Sequence, residues 1–202
     1  MKTKPNYQKA TFLLSVADCK QLPTDQGIEV AFMGRSNAGK SSVLNRLTQN
    51  KQLARVSKTP GRTQLINLFG LDEERRLVDL PGYGYAKVPL NVKEHWGELL
   101  DNYLQIRTAL RGVILVMDCR HPFKKIDQAI LEWGSDCKLP LHILLNKTDK
   151  LNTSDLNRLL HSMRKNLDGY QNPVTFQFFS ALKNTGINEL KQKLDEWFCQ
   201  EI

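Results

Sequence analysis

Gly34-Arg35-Ser36-Asn37-Ala38-Gly39-Lys40-Ser41 has the spacing G-x-x-x-x-G-K-S. The chemistry such a run can do is phosphate binding. The two glycines let the backbone turn so that its N–H groups point inward at phosphate oxygens. A helix opening at Lys40 adds the partial positive charge of its N-terminus. Lys40 brings a full charge to the β- and γ-phosphates, and the Ser41 hydroxyl can ligate Mg2+. A glycine turn between any strand and helix could match by chance. The context argues against that: an apolar run from Ile28 to Met33 precedes the loop, and Ser42-Val43-Leu44-Asn45-Arg46-Leu47 continues it at helical spacing.

The loop specifies a nucleoside triphosphate but no base. The base is specified by Asn146-Lys147-Thr148-Asp149, an N-K-x-D run after an apolar stretch. A carboxylate such as Asp149 only accepts hydrogen bonds. Guanine offers N1–H and N2–H2 side by side, so one carboxylate can take both. Adenine would leave it unpaired, and a site built on such a bond rejects the wrong ligand by roughly 10⁴–10⁵. Asn146 would tie this loop to the phosphate loop, and the Lys147 stem would lie over the base. Asp79-Leu80-Pro81-Gly82 reads D-x-P-G at a strand end. There Asp79 is placed to hold Mg2+ through water and the Gly82 N–H to sense the γ-phosphate. Ser180-Ala181-Leu182 follows the last strand, where its backbone could meet guanine O6; Leu182 departs from the common S-A-K form. Thr63, in Thr59-Pro60-Gly61-Arg62-Thr63, is the candidate to ligate Mg2+ beside the γ-phosphate, with Thr59 as its competitor.

These residues need a scaffold that brings strand ends together. Residues 1–27 read as an edge strand or pinned arm, built on the apolar run Ala10 to Val16 and ended by Pro23 and Gly27. Residues 28–202 read as one nucleotide-binding domain. Strands are predicted at Ile28–Met33, Thr63–Phe69, Arg76–Asp79, Gly112–Asp118, Leu141–Asn146 and Val174–Phe179. Helices are predicted at Lys40–Thr48, Val92–Leu110, Ile126–Trp133, from a cap at Thr153 or Ser154 to Leu167, and at Gly186–Phe198. The short turn Asp72-Glu73-Glu74-Arg75 admits only an antiparallel pair. The fold class is therefore α/β in three layers: a mostly parallel, doubly wound sheet with one antiparallel strand. Ligands on such sheets bind beyond the carboxyl ends of the strands, where Gly34, Asp79, Asn146 and Ser180 all fall.

The chain has 202 residues, 41% hydrophobic and 25% charged, which suits one domain with a sizeable core. No apolar run approaches a bilayer span, and the polar, basic start lacks a signal peptide's apolar centre. A cytoplasmic protein without stable membrane association is expected. Four scattered cysteines with no C-x-x-C pair read as structural thiols. The net charge of +8 favours polyanionic partners, RNA or a ribonucleoprotein first.

With these motifs in view, the chain resembles the EngB family of bacterial ribosome-biogenesis GTP-binding proteins, among the translation-factor-like P-loop GTPases. The resemblance rests on Gly34–Ser42, on Lys58–Gln64 (K-T-P-G-R-T-Q), on Leu77–Ala86 (L-V-D-L-P-G-Y-G-Y-A), on the D-x-R-H-P run Asp118–Pro122 and on Asn146–Asp149. It implies a three-layer P-loop GTPase fold and a GTP/GDP switch, with Mg2+, needed in late assembly of the large ribosomal subunit. The switch would act by transient binding to precursor rRNA and ribosomal proteins, as a monomer. The implied GTP-binding set is Gly34, Arg35, Ser36, Asn37, Ala38, Gly39, Lys40 and Ser41; Gly61, Arg62, Thr63, Gln64 and Leu65; Asp79, Leu80, Pro81 and Gly82; Asn146, Lys147, Thr148 and Asp149; and Phe179, Ser180 and Ala181. Lys40, Thr63, Gly82 and Asn37 are the catalytic candidates. Ser41, Thr63 and, through water, Asp79 are the metal candidates.

Hydrolysis also needs an oriented water. In Ras-type enzymes a glutamine follows D-x-x-G; here Tyr83 stands in that place, so unaided hydrolysis should be slow. Two remedies are open: a group supplied by the ribosomal partner, or a potassium ion held with help from Asn37. Asn37 reads equally as a loop residue bonded to its own backbone. The stretches 50–62 and 81–89 read as the two switches, and Lys51, Arg55, Lys58 and Arg62 as candidate rRNA phosphate contacts. A standalone kinase is the competing class; N-K-x-D and the lack of an acceptor-binding lid argue against it. A membrane-docking GTPase lacks a lipidation signal.

Overall fold

Ile28 to Gly34 is apolar at every position except Glu29, and all seven residues are buried. Such a strand needs cover on both faces, and that demand sets the architecture. The computed structural model describes residues 3–54, 65–83, 90–170 and 174–200, with side chains from residue 98 onward in the helix that opens at Leu90. In chain order the elements are β1 (Thr11–Val16), β2 (Ile28–Gly34), α1 (Lys40–Thr48), β3 (Ile66–Gly70), β4 (Arg75–Asp79), α2 (Leu90–Ile106), β5 (Leu110–Asp118), α3 (Lys125–Asp136), β6 (Leu141–Asn146), α4 (Thr153–Leu167), β7 (Thr175–Phe178) and α5 (Ile187–Cys199).

The strands form one sheet in the order β1-β3-β4-β2-β5-β6-β7. Six run in one direction; β3 alone runs against its neighbours β1 and β4. The β3–β4 turn is closed by Asp72, whose Oδ1 accepts from the amides of Glu74 and Arg75 at 3.1 and 2.9 Å. The mostly parallel α/β sheet with one antiparallel strand matches the sequence reading. Alternation along β2 splits the core. Val30 and Phe32 face α1 and α5 with Leu44, Leu47, Leu190 and Trp197. Ala31 and Met33 face the other side with Leu99, Tyr103, Leu131 and Met163 of α2, α3 and α4. Each large side chain so buried contributes about 1.5–3 kcal/mol.

Glu29, the one charged residue of β2, is fully buried at the end of the sheet remote from the predicted site. Arg107 Nε and Nη2, Tyr103 Oη and Arg76 Nε donate to its carboxylate at 2.7–2.9 Å. Burial alone would raise its pKa, but these donors, Arg107 foremost, outweigh burial and hold it below the usual carboxylate range. The cluster fixes the C-terminal end of α2 and corrects the predicted boundary. The helix stops at Ile106 rather than Leu110 because Arg107 turns inward to Glu29, while Asp25 accepts from the amides of Thr108 and Ala109. Ile106, the last residue of the helix, is 54% exposed. A second correction concerns α4. Its N-cap is Asn152, whose Oδ1 accepts from Asp155 N at 2.9 Å, not Thr153 or Ser154.

Between β6 and β7, buried His142 is clamped in its neutral form. Gln177 Nε2 donates to Gly186 O, which turns Gln177 Oε1 toward His142 Nε2 at 3.0 Å; His142 Nδ1 faces Thr175 Oγ1 at 2.8 Å. Burial pushes its pKa down to about 4, with Lys193 adding to the effect. The unfolded chain, near 6.5, takes up the proton first. Stability is therefore full above about pH 6.5 and falls as the pH drops toward 4, by about 3 kcal/mol over the interval. Urea midpoints at pH 7.5 and 4.5 check this. The wild type should lose more than His142→Gln, and parallel losses would refute it.

Candidate nucleotide site

The loop after β2 is shaped by two left-handed residues, Asn37 (φ 62) and Gly39 (φ 99). Asparagine is one of the few non-glycine types that enter this region readily. At Gly39 the requirement is also steric: a Cβ there would lie 2.3 Å from Asn146 Nδ2. Lys40 then opens α1, placing Ser41 in its first turn. β4 runs parallel to β2 with Phe32 opposite Asp79, so Asp79 emerges beside the loop. Lys40 Nζ and the Asp79 carboxylate form an ion pair, with side chains only 10% and 4% exposed.

The D-x-P-G segment continues this pairing. Leu80 N donates to Phe32 O, Tyr83 N to Gly34 O, and Ser36 N to Tyr83 O at 3.0 Å. Gly82 thus lies against Ser36, with 3.6 Å between its Cβ position and Ser36 N. Pro81 is buried beside it. The Tyr83 ring turns away into the core. Its hydroxyl donates to Asp127 Oδ1 at 2.9 Å, and Arg35 Nε lies 3.3 Å from Asp127 Oδ2.

At the other end, Asn146 joins three loops. Its Nδ2 donates to Ala38 O at 2.9 Å, and its Oδ1 accepts from Ala181 N at 3.2 Å. Lys147, left-handed at φ 71, sends its ammonium to Asn37 O at 2.5 Å. Thr148 bonds through N and Oγ1 to Phe179 O, and the Phe179 ring is fully buried, so both build the loop's base. Ser180 Oγ donates to Asp149 Oδ1 at 2.5 Å. That bond holds the carboxyl below the usual range, so it is ionised at neutral pH. Ser180 N is committed to Thr185 O.

Gly39, Asn146, Lys147, Asp149, Ala181 and Leu182 are among the residues around one cavity of about 800 Å3, which takes in the base loop and runs along α1 and α5; Lys40, Ser41 and Asp79 are not in its lining. Leu65 stands exposed ahead of β3. Gly61, Arg62, Thr63, Gln64, Thr59, Arg55 and Lys58 lie outside the described residues. Among the described residues no three His, Cys, Asp or Glu side chains gather as a metal cage. A hydroxyl at Ser41 and a carboxylate at Asp79 are oxygen donors of the kind Mg2+ takes, with its other ligands drawn from phosphate and water. When bound, such an ion would offset charge on the phosphate oxygens.

Residue-by-residue reading missed the partners that hold these groups. Asp118 and Arg120 were visible only within D-x-R-H-P, and Asp127 carried no motif at all.

The fold and the loops at its strand ends define a P-loop GTPase. The family model described as 50S ribosome-binding GTPase matches residues 29–147, and one for the elongation factor Tu GTP binding domain matches residues 101–200. "Probable GTP-binding protein EngB" of Coxiella burnetii (strain CbuK_Q154) is 52% identical over 98% of this chain and 96% of its own. The protein of that name from Shigella flexneri is 50% identical over 98% and 94%. Among solved structures, that of a probable GTP-binding protein engB has a TM-score of 0.68 at 23% identity, covering 84% of this chain and 98% of that one. Era in complex with MgGDPNP and nucleotides 1506–1542 of 16S ribosomal RNA has a TM-score of 0.67 at 20% identity, over 88% and 58%. The chain belongs to the EngB family of GTP-binding proteins.

Proposed function

We propose that this GTPase is a slow molecular switch in late assembly of the large ribosomal subunit, binding precursor particles transiently under control of GTP. Residues 28–202 form its GTP-binding domain, and residues 1–27 add to it the edge strand β1, paired with β3. The observation that carries the nucleotide reading is Asn146, which bonds the phosphate loop and the Ser180-Ala181 loop at once and so ties the loop that carries Asp149 to both. The ribosomal reading is supported by the 50S ribosome-binding GTPase match and the net charge of +8.

Lys40 and the loop amides take the phosphates, Ser41 and, through water, Asp79 would hold Mg2+, and Asp149 takes guanine N1–H and N2–H2. Thr63 completes the metal set when the γ-phosphate is present. The burial of the Tyr83 ring supports slow hydrolysis, since its hydroxyl is spent on Asp127 and cannot orient water. A ribosomal group or a potassium ion beside Asn37 makes up that lack. Among the described residues no helix is long and apolar enough to cross a membrane. The protein works in the cytoplasm as a monomer.

Sedimentation of a cell lysate tests this. A non-hydrolysable GTP analogue should carry the protein into the large-subunit precursor fractions, and GDP should leave it at the top of the gradient. The same distribution with both nucleotides would refute the gating.

A further inference from the structure

The D-x-R-H-P run is absorbed by neither the phosphate site nor the base site, yet its backbone and side chains touch both. β5 and β6 are parallel with Asp118 opposite Asn146, so the turn after β5 lies beside the base loop. Cys119 N donates to Asn146 O at 2.9 Å. Asp118, 7% exposed, accepts from Lys147 Nζ at 2.9 Å and from Arg120 Nε and Nη2 at 2.9 and 2.7 Å. Burial alone would raise the Asp118 carboxyl, but the bonds from Arg120 and Lys147 hold it well below the usual range, so the charge persists at neutral pH. His121 O accepts from Arg35 of the phosphate loop.

We propose that Asp118 is a positioning residue for nucleotide binding: it pins the Lys147 ammonium against Asn37 O, which makes the Lys147 stem a fixed wall of the base pocket. This rests on reading that pocket as the guanine site. Lysine carries a compact charge on a flexible four-carbon stem. Held only by one carbonyl, it would swing, and its charge would be free to reach the phosphates that Lys40 serves. Held by two acceptors from different loops, it spans the pocket between them; its Cε lies 3.9 Å from the Cβ position of Gly39. The cost of ordering the stem is then met in folding and not in binding, so the wall is present before the nucleotide arrives. Loss of a pre-organised wall is read mainly in the dissociation rate.

A double-mutant cycle on the full chain tests this, with a fluorescent GDP and a fluorescent GTP analogue as probes. Asp118→Ala should weaken both nucleotides by the same factor, roughly tenfold, through faster release. Asp118→Asn keeps an acceptor and should recover part of the loss; it also carries the test if the alanine variant does not fold. In the Lys147→Ala background, Asp118→Ala should add nothing. Equal losses in both backgrounds, or wild-type affinity in Asp118→Ala, would overturn the proposal. Full affinity in Lys147→Ala alone would overturn it by removing the base-pocket reading beneath it, an outcome distinct from the other two.

Discussion

Asp149→Asn should lose GTP and GDP by roughly 10⁴–10⁵ and gain xanthine nucleotides. Asp149 contributes an ionised carboxylate whose Oδ1 accepts from Ser180 Oγ at 2.5 Å. That bond orients the group and keeps it charged. The amide replaces one acceptor with a donor, which faces the N2–H2 of guanine donor to donor. Xanthine has a carbonyl at that place, and the amide N–H can donate to it. Titrating both nucleotide types into the variant measures the exchange. Unchanged GTP affinity would remove Asp149 from the base site and leave the phosphate half of the account standing.

Lys40→Ala should abolish useful triphosphate binding. Lys40 and Asp79 are both almost fully buried and neutralise each other in the structure. A triphosphate with Mg2+ offers a partner to each, phosphate for the ammonium and the ion for the carboxylate, so the exchange leaves no buried charge bare. Removing Lys40 strips that pairing from both states. Truncating one member of a buried, hydrogen-bonded charge pair costs about 2–5 kcal/mol, roughly thirtyfold to several thousandfold in affinity. Ser41→Ala should mainly weaken the Mg2+ dependence. A folded Lys40→Ala protein that binds GTP normally with Mg2+ would contradict the phosphate-loop reading.

What the sequence made legible is what local chemistry determines. Gly39 and Lys40 mark the start of α1, and the Lys40–Thr48 helix has the same bounds in sequence and structure because glycine and helical periodicity are local signals. β6, Leu141–Asn146, is likewise legible as a buried apolar run ended by a polar loop. Partnerships across long sequence separations were not legible. Tyr83 is visible as the residue in the glutamine's place, but nothing in its neighbourhood points to Asp127, 44 positions on. Arg107 reads as a helical residue until Glu29, 78 positions away, draws it inward. A glutamate inside the otherwise apolar Ile28–Met33 run was the available signal that a buried cation must come from elsewhere. The α4 cap failed more simply: Asn152, Thr153 and Ser154 are all good caps, and only the backbone decides among them.

The base loop reads guanine with Asp149, and the phosphate loop takes the triphosphate with Lys40. The most direct measurement is equilibrium competition of GTP, GDP, ATP and XTP for the wild-type protein in Mg2+. GTP and GDP should bind, and ATP and XTP should fall roughly 10⁴-fold or more behind. ATP binding within tenfold of GTP would contradict it.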